Sequence, residues 1–270
     1  MSDKIHLPRL AIMVTTRCNL RCKYCAVGIP TQKEIINMSV DEVRASLEAC
    51  FSFIDSVDSL EFAGGEVFLN EFLPAMIEEY MKYAKRFKYF LFVTNGTITP
   101  SEELLAVLKK YKNYAVAHVS DYGVYPERVS SLIDTFNDIG IKCRLKKYYG
   151  EDQYFGGWVD PGELAPRSRN EDELRKVFSN CGLVKNGGCW RVHRQLLHFC
   201  TRSGRLADEG HIFYSDVIDL FNTSFTVEEK RAKIISIINT PYLAACDYCN
   251  GDLGTTDISK RIPGGEQVLA

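Results

Sequence analysis

Apolar residues follow two alternating patterns over the first 150 positions. Short runs rich in β-branched and aromatic residues, at 9–15, 59–63, 89–94, 115–120 and 141–147, have the length and make-up of buried strands. Between them, apolar positions recur at helical spacing. Val43, Leu47, Cys50, Phe51 and Ile54 mark one face of a first helix, opened by Ser39 and Glu42 as a capping box. Further helices are expected over about 71–86, 101–111 and 126–139, the last with Pro126 in its first turn. Strand and helix alternate with a period of roughly 30 residues, which predicts β-α crossover units and a parallel sheet. Five strands by residue 147 predict an α/β fold of a particular kind: a partial, open TIM-like β/α barrel rather than a full eight-unit one.

The pattern changes after Tyr148. Residues 151–170 are rich in Gly, Pro and polar side chains but hold Tyr154, Phe155 and Trp158, which predicts a long loop packed through its aromatics. A short helix is expected at 171–178 and another at 227–238. Residues 194–208 read as a hairpin turning at Ser203-Gly204, with Leu196-Leu197-His198-Phe199 on one arm. The tail after Gly254 is polar. The expected division is a barrel at 1–150, a connecting loop and helix at 151–180, and a small C-terminal unit at 181–270.

Charge narrows the function classes. With 33 basic and 35 acidic residues, the chain offers no basic face for nucleic acid and no polybasic membrane patch. No apolar run reaches 18 residues and the N-terminus lacks a signal-peptide core, so a cytoplasmic location is expected. Ten cysteines in such a chain point to metal ligation rather than disulfides. Eight fall in two groups: Cys18, Cys22 and Cys25, then Cys181, Cys189, Cys200, Cys246 and Cys249. Cys50 and Cys143 stand in apolar stretches and read as small buried hydrophobes.

Candidate chemistry gathers at the carboxyl ends of the strands. The cysteine loop follows strand one, Gly64-Gly65-Glu66 strand two, Asn95-Gly96 strand three, and Ser120-Asp121 closes strand four. In a parallel barrel these ends share the face where active sites are built. The C-x3-C-x2-C triplet has three readings: chance surface thiols, half of a zinc site pairing Cys22 and Cys25 with Cys246 and Cys249, or three ligands of a [4Fe–4S] cluster with one iron left open. Zinc would leave Cys18 unused.

The triplet, with Tyr24 before its last cysteine and Gly64-Gly65-Glu66 after strand two, resembles the signature of the radical S-adenosylmethionine (SAM) superfamily. The resemblance implies a cluster on Cys18, Cys22 and Cys25 whose open iron chelates SAM, and a 5′-deoxyadenosyl radical that abstracts hydrogen from substrate. It places Tyr24 near the adenine and Gly64, Gly65 and Glu66 around the methionine amino group. Asn95 and Ser120 would lie near the ribose, and Arg144 would pair with the methionine carboxylate. Val67 stands where the family usually has proline.

The later cysteines resemble the twitch version of the SPASM extension, which binds one auxiliary [4Fe–4S] cluster. Cys181, Cys200, Cys246 and Cys249 follow the spacing of the aminocyclitol dehydrogenase, and Cys189 competes with Cys181. Residues 246–251 with Ile262-Pro263 and Glu266-Gln267 are similar to twitch enzymes of polysaccharide and sugar pathways. The implied function is dehydrogenation of a small, sugar-like substrate, the auxiliary cluster accepting the electron and a flavodoxin or ferredoxin supplying the reductant. Candidate general bases are Asp121, Lys146, Lys147 and Tyr148. Peptide crosslinking or thioether formation, and redox-neutral epimerisation with Cys143 or Cys189 as hydrogen donor, remain open. A leader-binding domain ahead of strand one is not expected. The histidines read as structural or surface residues, although His118, late in strand four, could face the site.

Overall fold

The alternation is realised as one eight-stranded sheet, seen in a computed structural model that describes residues 4–154, 158–251 and 257–268. Phe155 lies outside the described residues. Strands β1 (His6–Thr15), β2 (Ser56–Gly64), β3 (Phe87–Thr94), β4 (Ala115–Asp121) and β5 (Lys142–Lys147) are neighbours in that order and run parallel. Helices α1 (Val40–Phe53), α2 (Leu73–Met81), α3 (Glu102–Lys110) and α4 (Pro126–Ile139) connect them. Ser39 and Glu42 form the expected capping box.

Residue parity splits the sheet into two faces. Leu10, Ile12, Leu60, Phe62, Phe90, Phe92, Ala117 and Val119 turn toward the helices and are almost wholly buried. Phe62 stacks on Tyr80 of α2 at 3.8 Å, and Phe92 meets Phe136 of α4 edge-on. Burying each such side chain contributes about 1.5–3 kcal/mol. On the inner face, the small apolar patch of Ala11, Met13 and Ala63 is surrounded by polar and charged residues.

The C-terminal third extends this sheet. β6 (Arg191–His193) pairs parallel with β1, placing Arg191 beside Ala11; β7 (Leu196–His198) and β8 (Val217–Asp219) follow antiparallel. The edges are β5 and β8, and the sheet runs continuously past residue 181. Helices α5 (Glu171–Asn180), α6 (Gly182–Lys185), α7 (Thr201–Asp208) and α8 (Val227–Ile238) complete the chain. Arg231 of α8 bonds the Phe53 carbonyl and the Asp55 carboxylate.

One expectation is corrected. The hairpin turns at Arg194-Gln195, not at Ser203-Gly204, which lie inside α7. Both turn residues take left-handed φ values, 49° and 66°, without the usual Asn-Gly signal. Arg194 is held there by the carboxylates of Asp208 and Glu34. Cys200 caps α7, its sulfur accepting from the Ser203 amide at 3.4 Å. No described helix is long and apolar enough to cross a membrane.

Gln195 is left-handed, and among the described residues no side-chain hydrogen bond holds it there. The substitution Gln195→Gly is expected to raise stability by about 0.5–1 kcal/mol, the left-handed penalty less the extra freedom of glycine when unfolded. A lower urea midpoint than wild type would contradict this.

Candidate active site

The site begins where β1 and β2 end. The Gly65 amide donates to the Thr15 carbonyl at 2.9 Å, and the Glu66 amide to the Arg17 carbonyl at 2.8 Å. A Cβ on Gly64 would stand 2.1 Å from the Thr15 oxygen, and one on Gly65 2.2 Å from the Arg17 oxygen. The glycines therefore let the loop after β2 lie directly against the cysteine loop. The sequence reading assigned them to close approach of a ligand; the observed partner of that approach is the chain's own backbone.

Glu66 is wholly buried. Its carboxylate accepts from the Phe68 amide, the Thr94 hydroxyl (2.8 Å) and the Asn95 amide (2.7 Å), tying the ends of β2 and β3 together. Burial outweighs those bonds and pushes its acid up to about 7.

Cys18, Cys22 and Cys25 line one cavity of about 270 Å³ together with Gly64, Gly65, Asn95 and Ser120. Burial first, and then the neighbouring thiols and, for Cys18, Glu66, push the Cys18 and Cys22 thiols up to about 11 and about 12. Amides nonetheless point at both sulfurs: Asn95 Nδ2 lies 3.9 Å from Cys18 Sγ, and Gln267 Nε2 lies 3.2 Å from Cys22 Sγ. Tyr122 and Trp158 form the far wall, backed by Tyr148, whose ring stacks on Tyr122 at 5.1 Å. Of these, Tyr122 went unnoticed in the sequence.

A larger omission is the strap at 262–268. Its backbone pairs with the cysteine loop through Lys23 to Glu266 (2.6 Å) and Val268 to Arg21 (2.8 Å), and Gln267 Oε1 accepts from the Arg21 amide. Gly265 passes so close to Tyr122 that a Cβ would lie 2.1 Å from its ring. The only advance signals were Gly264-Gly265 and the Glu-Gln pair in a polar tail.

Other expected residues fall elsewhere. Tyr24 has a left-handed φ of 57° and lines an adjoining groove, which Cys22 and Cys25 also line, with Gly162, Leu164 and Arg202. Asp121 is buried and accepts from the Gly123 amide and the Tyr149 hydroxyl. Arg144 lies on the inner face of β5 over the ring of Tyr89, and is not among the cavity's lining residues. Lys146, two positions on, is half-buried; burial and then Arg9 and Arg144 draw its amine down. Tyr148 bonds Ser120 and Trp158, and burial raises its phenol.

The later thiols divide. Cys181, Cys200, Cys246 and Cys249 interact with one another, whereas Cys189 sits at the start of β6 near Arg9. Burial pushes the Cys246 thiol up to about 12 and raises that of Cys200 well above its ordinary value. Arg169 clamps the carbonyls of Cys246 and Cys249 at 2.7 Å each, and Asp247 accepts from the Arg167 and Arg169 amides. Among the described residues, no three His, Cys, Asp or Glu side chains converge as a single metal ion requires. Cys18, Cys22 and Cys25 offer an all-sulfur donor set, the ligand type of an iron–sulfur cluster. Amide donors to Cys18 and Cys22 fit thiolate ligands.

The model of the radical SAM superfamily matches residues 12–145, from β1 to β5. GTP 3′,8-cyclase of Aquifex aeolicus (strain VF5) is 26% identical over 196 residues, which cover 67% of this chain and 57% of that protein. The chain thus spans little more than half of that relative's length. The structure of anSMEcpe with bound AdoMet and Kp18Cys peptide has a TM-score of 0.55 at 16% identity, covering 95% of this chain and 93% of the other. With AdoMet alone the values are 0.54 and 16%, over 85% and 82%. The family model thus matches just under half of this chain, and the solved structures share its fold.

Two outcomes test the site. Stability of the unloaded protein should fall as pH rises from about 4.5 to about 7, because folding raises the Glu66 pKa and favours its protonated form. The substitution Glu66→Gln should flatten that slope in urea titrations and cost about 1–3 kcal/mol for the misplaced amide. In cluster-loaded protein, Gln267→Leu should make the potential of the N-terminal cluster more negative by removing a donor to Cys22; an unchanged potential in a paramagnetic-resonance redox titration would count against the strap's role.

Proposed function

We propose that the chain is a radical SAM dehydrogenase of a small, sugar-like substrate, carrying a second [4Fe–4S] cluster. The observation that carries this reading is the pair of thiol groups: Cys18, Cys22 and Cys25 on one cavity, and Cys181, Cys200, Cys246 and Cys249 gathered apart from it. Three ligands leave one iron for the amino and carboxylate groups of SAM, and four complete an electron-accepting cluster. When bound, these groups supply reductive cleavage of SAM, hydrogen abstraction from a substrate carbon and removal of the second electron. A flavodoxin or ferredoxin would provide the reducing electron.

The chain's own residues shape that chemistry. Tyr122 and Trp158 wall the cavity with aromatic surface, and Tyr148 packs behind them. Among the candidate bases, Asp121 is engaged in the turn after β4 and Tyr148 holds its proton more firmly than usual. Lys146 faces inward with its amine drawn down, the direction that suits accepting a hydroxyl proton.

A second reading is peptide modification. The groove of about 610 Å³ beside Tyr24, between the cysteine loop and Gly162–Leu164, is roomier than the cysteine cavity of about 270 Å³, and anSMEcpe, of similar fold, is seen with a bound peptide.

Anaerobically loaded protein should hold about eight irons and eight sulfides per chain. Cys200→Ala should lower this to about four while SAM cleavage persists, and Cys18→Ala should abolish cleavage. Deuterium passing into 5′-deoxyadenosine from a labelled sugar, and not from a labelled peptide, would uphold the first reading; the reverse would install the second.

A further inference from the structure

Helix α7 begins at one of the later thiols. Cys200 is its N-cap, with its sulfur on the Ser203 amide, and Arg202 follows two positions on. Arg202 is 7% exposed. Its guanidinium donates to three main-chain carbonyls: Nε to Tyr248 at 2.7 Å, and Nη2 to Gly162 at 2.7 Å and to Glu163. Tyr248 directly precedes Cys249, so the same guanidinium adjoins both Cys200 and Cys249. Arg169 is held in a similar way, its Nη1 donating to the carbonyls of Cys246 and Cys249 themselves. Arg202 also lines the groove that Cys22 and Cys25 line, which puts it between the two sets of thiols.

Among the described residues, neither guanidinium bonds a carboxylate. Two acids stand nearby, and both accept main-chain amides: Asp247 those of Arg167, Ser168 and Arg169, and Asp216 those of Ala244 and Ala245. Carbonyls solvate a cation without cancelling its charge. Burial works most strongly against the charge of Arg202, and the groups that favour it are the sulfurs of Cys249 and Cys200. A buried cation with no acid beside it is costly, and the cost falls when an anion lies within reach. Neutral thiols supply no such anion, whereas thiolates on a cluster do. The donor set fits that group. Cys181, Cys200, Cys246 and Cys249 are all sulfur, and main-chain amides point at two of them, Ser203 at Cys200 (3.4 Å) and Gly251 at Cys249 (3.3 Å).

We propose that Arg202, supported by Arg169, is the counter-ion of the later thiol group and sets the potential of the cluster held there. This rests on the two-cluster reading above, and it supplies a reason for the second cluster to accept an electron. A cube on four thiolates is a net anion and becomes more negative when reduced. A fixed positive charge beside it favours the reduced form and so raises the potential. Arg202 supplies that charge from a helix whose first turn is anchored on the ligand Cys200.

A redox titration of the loaded full chain, followed by paramagnetic resonance, tests this. The signal that added SAM leaves unchanged reports the second cluster. Arg202→Gln keeps donors for the carbonyls but removes the charge. It should shift the reduction equilibrium of that cluster tenfold or more against the reduced form, which is about 59 mV toward negative potential. Arg202→Lys keeps the charge and should shift it less than half as far. No shift in the Gln variant overturns the proposal. Equal shifts in both variants also overturn it, since they would make Arg202 a staple between main-chain segments. If Arg202→Gln fails to load, Arg169→Gln decides: a negative shift upholds the proposal and none overturns it. Iron and sulfide are counted on the same samples. About eight irons without a shift overturns the counter-ion alone, whereas about four in the unmodified protein overturns the second cluster and the counter-ion with it.

Discussion

Two backbone hydrogen bonds, from Gly65 and Glu66 to the carbonyls of Thr15 and Arg17, fix the geometry on which the site depends. They fasten the end of β2 to the first residues of the cysteine loop at a separation no side chain allows. Everything nearby refers to that junction. Glu66 carries it on to β3 through Thr94 and Asn95, and Asn95 returns to the loop at Cys18 and Asn19. The three sulfurs are thus held on a cross-braced scaffold rather than on a free loop, as a cofactor that must be met at a set position demands.

Much of the fold was legible because its signals are local. The β-branched runs, the capping box at Ser39 and the N-cap serine at position 101 identify strands and helices without knowledge of neighbours. The Arg194-Gln195 turn was not legible, since long-range carboxylates rather than intrinsic preference hold its left-handed residues. Nor was the joining of β6 to β1, because a three-residue strand has too little pattern to name its partner.

The site divides the same way. Sequence spacing identified the triplet and the residues at the strand ends, and Cys18, Cys22, Cys25, Gly64, Gly65, Asn95 and Ser120 do meet on one cavity. It could not separate Cys181 from Cys189, because only the path of α5 and α6 decides which thiol turns toward Cys200, Cys246 and Cys249. Arg144 and Lys146 looked like independent single residues. Their relation to Arg9, over 130 positions away, emerges only when the fold sets the three side chains within electrostatic reach of one another.

The strap has a bearing on biogenesis. Residues 18–25 leave the ribosome well before their cover at Gln267, which lies 245 positions beyond Cys22. Until Gln267 emerges, the three thiols stand without that lid. Insertion of an inorganic cube has a natural opening in this interval, before the carboxyl segment stitches down and hides Cys22. The order of synthesis itself separates loading from sealing.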